Sequence, residues 1–424
     1  MLRSHPRWWM YVIAAVYVLT FLFNARQEFW GPANAGWVPS WPTFRVAAIV
    51  PGTPMDKAGL RAGDVLETVN GQPLNAMPDW FLARAHFQRN HPIELRIRRG
   101  DQQLGLQFEI TTPAWRSGNR GHYVGTIAFY TARFILLLLA ILVGFCRPEQ
   151  LSARIAALML AIGSVAEGYP SAGWASALRH LPAVLAIPIC LATASCLLSA
   201  LVWLAFFAGF PRPWLSQRWR WSFVFVPLLI FGVPIAASAV AMIYLPSALV
   251  RPWPLVLSAA PVRLIQSDAG VVPLLFLNVW PLSRPVAQVI LLELWLAVSL
   301  LYFVAGFLML VANYRRLDDP SERRRIGTLC LALAFFFAIV VHNFFARNWM
   351  TWFGSSPPAL FSGPATAGAT VLFLFVPLAL AYSVLAEGRR EGNQPSAESS
   401  ASTKQPAVKT PNLRIHQQDQ RDGG

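Results

Sequence analysis

Hydrophobic and polar positions follow two different patterns along this chain. Unbroken apolar runs occur near the start and again beyond residue 120, and between them Gly36 to Thr112 alternates in short bursts punctuated by Gly, Pro, Asn and Asp. A helix that crosses a bilayer needs about 20 mainly apolar residues. The runs that qualify are Trp8 to Phe23, Tyr123 to Phe145, Ser152 to Ala166, Ala183 to Phe210, Trp221 to Tyr244, Val286 to Ala312, Ile326 to Phe345 and Ala365 to Leu385. The pattern predicts a polytopic α-helical membrane protein of about eight transmembrane helices, with one small domain between the first and second.

The alternating stretch predicts its elements in order. Arg45 to Val50 reads as a strand, which Pro51-Gly52-Thr53-Pro54 breaks with a tight turn. Pro54 then suits the first turn of a short helix, Asp56 favours its positive end, and Gly59 stops it. Leu60 packs inward, Arg61-Ala62-Gly63-Asp64 turns the chain again, Val65 to Val69 is a second strand, and Asn70-Gly71 is a strong hairpin signal. Met77 to Asn90 has helical spacing through Trp80, Phe81, Ala83 and Phe87, and Ile93 to Arg98 and Leu104 to Ile110 alternate with period two around Gly100-Asp101.

The segment VPGTPMDKAGLRAGDVLETVNGQPL, Val50 to Leu74, resembles the PGSPAxxAGLxxGDxIxxVNG core of bacterial PDZ domains. That resemblance implies a small α+β fold, a partly open β-barrel over residues 36–112, which takes an extended peptide or a protein C-terminus as an added strand. The groove is expected between the strand Arg45 to Val50, which includes Val46, and the helix Met77 to Asn90, with Phe44 and Phe87 as pocket walls. Gly36-Trp37-Val38-Pro39 is the nearby candidate for the loop that meets a terminal carboxylate, although Pro39 removes a donor.

Composition agrees with the membrane class: 55% of residues are hydrophobic, 13% charged, and 17 are Trp. A net charge of +15 would suggest nucleic acid in a soluble chain, but here most of the arginines flank apolar runs, so no nucleic-acid partner is expected. With the N-terminus placed in the cytoplasm, Arg3 and Arg7, Arg147 and Arg154, Arg212 to Arg220, Arg315 to Arg325, and Arg389 and Arg390 all fall inside. Fewer of the arginines in the short flanks, among them Arg179, Arg251, Arg263 and Arg284, fall outside, and the PDZ segment becomes extracytoplasmic. The expected organisation is an uncleaved anchor over residues 1–23, a linker over 24–35, the PDZ domain over 36–112, a seven-helix bundle over 123–386 and a disordered cytoplasmic tail over 387–424. The four cysteines lie in or beside apolar runs without metal or redox spacing.

No HExxH pair, nucleophile turn or Gly-rich phosphate loop is present, so neither an enzyme activity nor a cofactor is expected. Ionisable groups at membrane depth are costly unless paired or facing a cavity. Arg133, Glu293 and His342, with Asn343, fall in a similar outer-leaflet layer. Three readings stand: a structural Arg133–Glu293 pair with His342 and Asn343 bonded between helices, a ligand- or proton-sensing pocket, or side chains that reach to the surface.

In the loop NYRRLDDPSERRR, Asn313 to Arg325, Asp319 can cap the next helix and Glu322 sits where the second half of a capping box belongs, beside Arg315, Arg316 and Arg323. The same block resembles the YRRxxDPxERRxxxW loop in the input regions of ComP-like sensor histidine kinases and SpoIIE-type phosphatases, which share the order helix, PDZ domain, helical bundle. The resemblance implies a sensor-like input module of a bacterial inner membrane, without its own catalytic output, whose partner would be a separate kinase or phosphatase. The alternative is an accessory or scaffold factor for an envelope protease or membrane complex.

Overall fold

The computed structural model describes residues 8–33, 35–40, 44–74, 77–113, 120–166, 172–213, 216–244, 285–353 and 375–391. The chain divides into two compact units, Met1–Leu385 and Ala386–Gly424. The first unit holds both a sheet domain and the helices around it. Helix α1 (Trp8–Trp30) leads into the sheet domain, built from β1 (Trp37–Ser40), β2 (Arg45–Ile49), α2 (Pro54–Lys57), β3 (Val65–Val69), β4 (Gln72–Pro73), α3 (Met77–Ala85), β5 (Pro92–Arg99) and β6 (Gln102–Glu109). The helical part comprises α4 (Arg120–Cys146), α5 (Leu151–Val165), α6 (Trp174–Arg179), α7 (Ala183–Ala194), α8 (Ser199–Phe207), α9 (Gln217–Pro227), α10 (Val233–Tyr244), α11 (Pro285–Arg315), α12 (Pro320–Phe353) and α13 (Phe375–Glu391).

The sheet is antiparallel in the order β1-β2-β3-β5-β6, with β4 paired to β3, and forms a half-barrel. Period-two alternation places Ile93, Leu95 and Ile97 of β5 inside and leaves the residues between them exposed or half-buried. They meet Phe44, Val46, Met55, Leu60, Leu66, Val69 and Phe108 in one apolar core. Asn70 and Gly71 take φ of 48° and 76°, as a two-residue hairpin turn requires. The Asn70 carboxamide oxygen accepts from the Glu94 N–H at 2.9 Å and so pins the turn to β5.

Two element boundaries differ from the sequence expectation. The first helix does not give way to a linker at Asn24; it runs on to Trp30, because Asn24 and Gln27 are buried rather than solvated. The Trp174 indole N–H donates to the Asn24 side-chain oxygen at 3.2 Å, and the Tyr130 hydroxyl donates to its carbonyl at 3.3 Å. The helix expected over Met77 to Asn90 ends at Ala85, and Asn90 takes a positive φ of 61°.

Among the described residues, four helical stretches are long and apolar enough to cross a membrane: Trp8–Trp30, Thr126–Cys146, Ala183–Phe207 and Ala297–Arg315. Leu151–Val165, Trp221–Ala237 and Phe375–Ala386 are shorter apolar helices. Small residues set the close approaches, as is usual where helices pack without a hydrophobic drive between them. A Cβ at Gly144 would lie 3.2 Å from Ala157, and one at Gly306 would lie 2.6 Å from the Trp203 ring. Trp203 also donates its indole N–H to the Phe303 carbonyl at 3.2 Å, tying α8 to α11. After Pro227, which lacks an N–H, the ladder widens into one π-helical stretch, Leu228–Gly232, before α10 resumes.

Candidate functional site

The open strand of the half-barrel is the first place where another chain could add. Strand β2 is paired with β1 from Arg45 to Ile49 and with β3 at Arg45, so it lies inside the sheet order and is not the outermost edge that sequence reasoning assigned. Among the described residues the strand at that end of the sheet is β1, Trp37–Ser40. Gly36-Trp37-Val38-Pro39 is therefore not a loop: Trp37, Val38 and Pro39 belong to β1, with a register shift between Val38 and Pro39. Gly36, at φ 91°, holds the strand in place, since the Val50 N–H donates to its carbonyl at 2.8 Å. A Cβ there would collide with the Thr53 side chain.

The expected pocket walls are core residues. Phe44 is 3% exposed with φ 50°, Val46 is 1% exposed, and Phe87 is 2% exposed with its ring edge-on to Trp80 and Phe108 at 5.8 and 6.4 Å. Apolar spacing identifies a buried position but not whether the burial faces a core or a groove.

Beneath the apolar core, Asp64 is also buried. Its carboxylate accepts two bonds from the Arg99 guanidinium, at 2.7 and 2.8 Å, and one from the Arg61 N–H at 2.8 Å. Burial alone would push the Asp64 carboxyl up, but those donors outweigh it and hold the group below the usual carboxylate range; Arg99 is raised in turn by the hydrogen bond to Asp64. The pair ties the Ala62-Gly63-Asp64 turn to the end of β5, and Arg99 also donates to the Gly59 carbonyl at 2.8 Å.

Residues 45–99 match the family profile of the PDZ domain. The chain carries a PDZ domain. It is also 31% identical over 88 residues to the candidate serine protease HhoA of Synechocystis sp., an alignment that covers 20% of this chain and 22% of that protein. The chain thus spans about a fifth of the length of the curated relative it matches. No solved structure matches it. A PDZ domain is a fold that binds peptides and protein segments, so the β1 edge is the candidate binding surface.

The PDZ domain is seated on the helical part. The Gly173 N–H donates to the Arg84 carbonyl at 3.0 Å, and the Gln88 carboxamide donates to the Ser176 hydroxyl at 2.7 Å. The Ala33 N–H donates to the Thr112 carbonyl at 3.2 Å, and Pro32 bridges Pro113, so both ends of the domain are clasped together. One apolar core runs from the PDZ interior into Trp174, Ala175 and Leu178 of α6 and on to Ala186 and Ile189 of α7. Sequence reasoning missed this junction, because the positive φ of Gly173 and the full burial of the Trp174 indole are set by segments distant in the chain.

Of the polar layer, Arg133 is 3% exposed. It donates to the Ala166 carbonyl at 2.6 Å, at the negative end of α5, with the Phe129 and Tyr130 rings 5.0 Å from its guanidinium. Glu293, His342 and Asn343 lie on α11 and α12, and their side chains fall outside the described residues. In the basic loop Asp319 caps α12, accepting from the Ser321 N–H at 3.0 Å. The Glu322 carboxylate reaches Arg212 and Arg325, each at 3.7 Å, while Arg323 lies 5.3 Å over the Tyr314 ring. Arg315 and Arg316 are exposed.

Proposed function

We propose that the chain is a multi-pass protein of a bacterial inner membrane, with its PDZ domain outside the cytoplasm. There the domain binds a peptide or extended protein segment at β1 and passes that occupancy to the helices beneath, as a sensor-like input module. The observation that supports this most directly is the junction through Arg84, Gln88, Gly173 and Ser176, with its shared apolar core. A binding domain meant only to tether a partner needs no such seat. The membrane setting is supported by the apolar helices and by large side chains exposed along them, among them Leu138, Leu142, Leu300, Leu301 and Leu308. The exposed Arg315, Arg316 and Arg324 beside the capped start of α12 suit a cytoplasmic contact with a separate kinase or phosphatase.

A second reading, an accessory factor that presents substrates to an envelope protease, is favoured by the partial match to HhoA. One experiment separates the two. Peptides with an apolar C-terminal residue are titrated onto the full-length protein in detergent while hydrogen exchange is followed at α6 and α7. The sensor reading expects binding at micromolar dissociation constants, about −8 kcal/mol, together with changed protection in those helices. Binding that leaves them unchanged overturns it and favours the accessory reading. For the topology, a reporter after Arg390 should be cytoplasmic and one inserted near Gly100 extracytoplasmic; finding both on one side rejects the arrangement.

A further inference from the structure

A cavity of about 370 Å³ opens where three segments meet: the last turn of α1, the PDZ loop after α3, and the stretch from Gly173 to Leu181. Its polar lining holds two arginines and two histidines. Arg26 comes from α1, Arg89 and His91 from the PDZ loop, and His180 from the end of α6, with Gln27 and Gln88 between them and no carboxylate among the lining residues. Elsewhere in this unit Arg98 pairs with Glu67, Arg99 with Asp64 and Arg325 with Glu322. Among the described residues Arg26, Arg89 and His180 have no ion pair. Like charges gathered around one concavity raise its potential, and an anion relieves them while gaining charge-assisted bonds.

We propose that this junction cavity binds a phosphate-bearing anion. Two guanidiniums can each offer a two-pronged fork, and His180, His91 and the two carboxamides add donors. Together they suit the several acceptor oxygens of a phosphate better than the two of a carboxylate. Trp30, 62% exposed, stands at the rim at the end of α1; in the membrane setting proposed above, on which this source rests, that is the level at which an indole marks the membrane–water boundary and lipid phosphates lie. A phospholipid headgroup is thus one source of this chemistry and a free phosphate monoester the other. The site touches α1, the PDZ domain and α6 at once, so its occupant would clamp the PDZ seat, and its binding and the seating would favour each other.

The test uses the delipidated full-length protein in a non-ionic detergent, with dihexanoyl phosphatidylglycerol and glycerol phosphate as the two probes. Binding is followed by tryptophan fluorescence. The wild type is compared with the double variant Arg26→Gln/Arg89→Gln and with Arg212→Gln, a control at an exposed arginine elsewhere. The double variant should weaken binding at least tenfold and Arg212→Gln should leave it unchanged. Binding of both probes supports a phosphate site open to free anions; binding of the lipid alone supports the headgroup source. No binding of either probe, or equal weakening by the control, overturns the proposal. Arg26 and Arg89 are exposed, so folding should be retained; should the double variant unfold, Arg89→Gln alone carries the same comparison.

Discussion

Asp64 carries the clearest residue-scale consequence. Its native carboxyl titrates below its unfolded value of about 4, so the stability it contributes is fully present above that value and is lost as pH falls through the native one. Denaturant melts of the protein between pH 6 and pH 3 should show the wild-type PDZ transition dropping toward that of Asp64→Asn below about pH 4. Parallel pH profiles for the two would refute the linkage. Phe87 gives a second prediction. A charge in its place should unfold the domain instead of selectively abolishing peptide binding, because the ring sits among Trp80 and Phe108. Phe87→Ala should cost about 3 to 5 kcal/mol, measured by the same melts; a folded, merely non-binding Phe87→Asp would restore the ring to a groove wall.

At the scale of elements, the seat between the PDZ loop and α6 turns on one glycine. Gly173 has φ 75°, and a Cβ there would lie 2.7 Å from the Phe87 carbonyl. Gly173→Ala should therefore cost about 1 to 3 kcal/mol and loosen the seat before it loosens the PDZ core. Limited proteolysis is the check: cleavage should rise around residues 84–90 and 172–181 while β5 and β6 remain protected. Uniform loss of protection would mean the two parts fold as a single unit. The edge strand permits a further test. Ligand capture at β1 relies on backbone bonds, so a bound peptide carrying N-methyl groups at alternate residues should lose affinity at least tenfold in an equilibrium titration. Unchanged affinity would argue against strand addition.

For the whole molecule, the boundaries of the domain matter. A fragment of residues 36–112 omits the Ala33–Thr112 bond and the Pro32–Pro113 bridge that clasp the ends. A fragment of residues 31–113 should be more stable by about 1 to 2 kcal/mol, read from urea midpoints, and both should be less stable than the domain in the full chain, where the Gly173–Ser176 segment is bonded to the PDZ loop. Equal midpoints in all three would show the seat to be energetically idle. Sensor and accessory readings both require the domain to fold; only the first requires the seat.

Much of this protein is legible in one dimension because it rests on neighbours in sequence. The apolar runs, the period-two strands and the turns at Pro51-Gly52 and Asn70-Gly71 depend on residues a few positions apart, and the PDZ domain is legible in them alone. What sequence reasoning assigned wrongly, or could not see, depends on partners far away. Phe87 has the same apolar signature whether it lines a groove or a core, and only its ring contacts decide. Strand β2 looks like an edge until β1 pairs with it. Asn24 looks like the start of a linker, yet an indole 150 residues later receives it and carries the helix on to Trp30. The seat likewise joins Gln88 to Ser176 across 88 residues. Local periodicity determines which residues are hidden; only the tertiary structure, by bringing distant donors and acceptors together, decides against what.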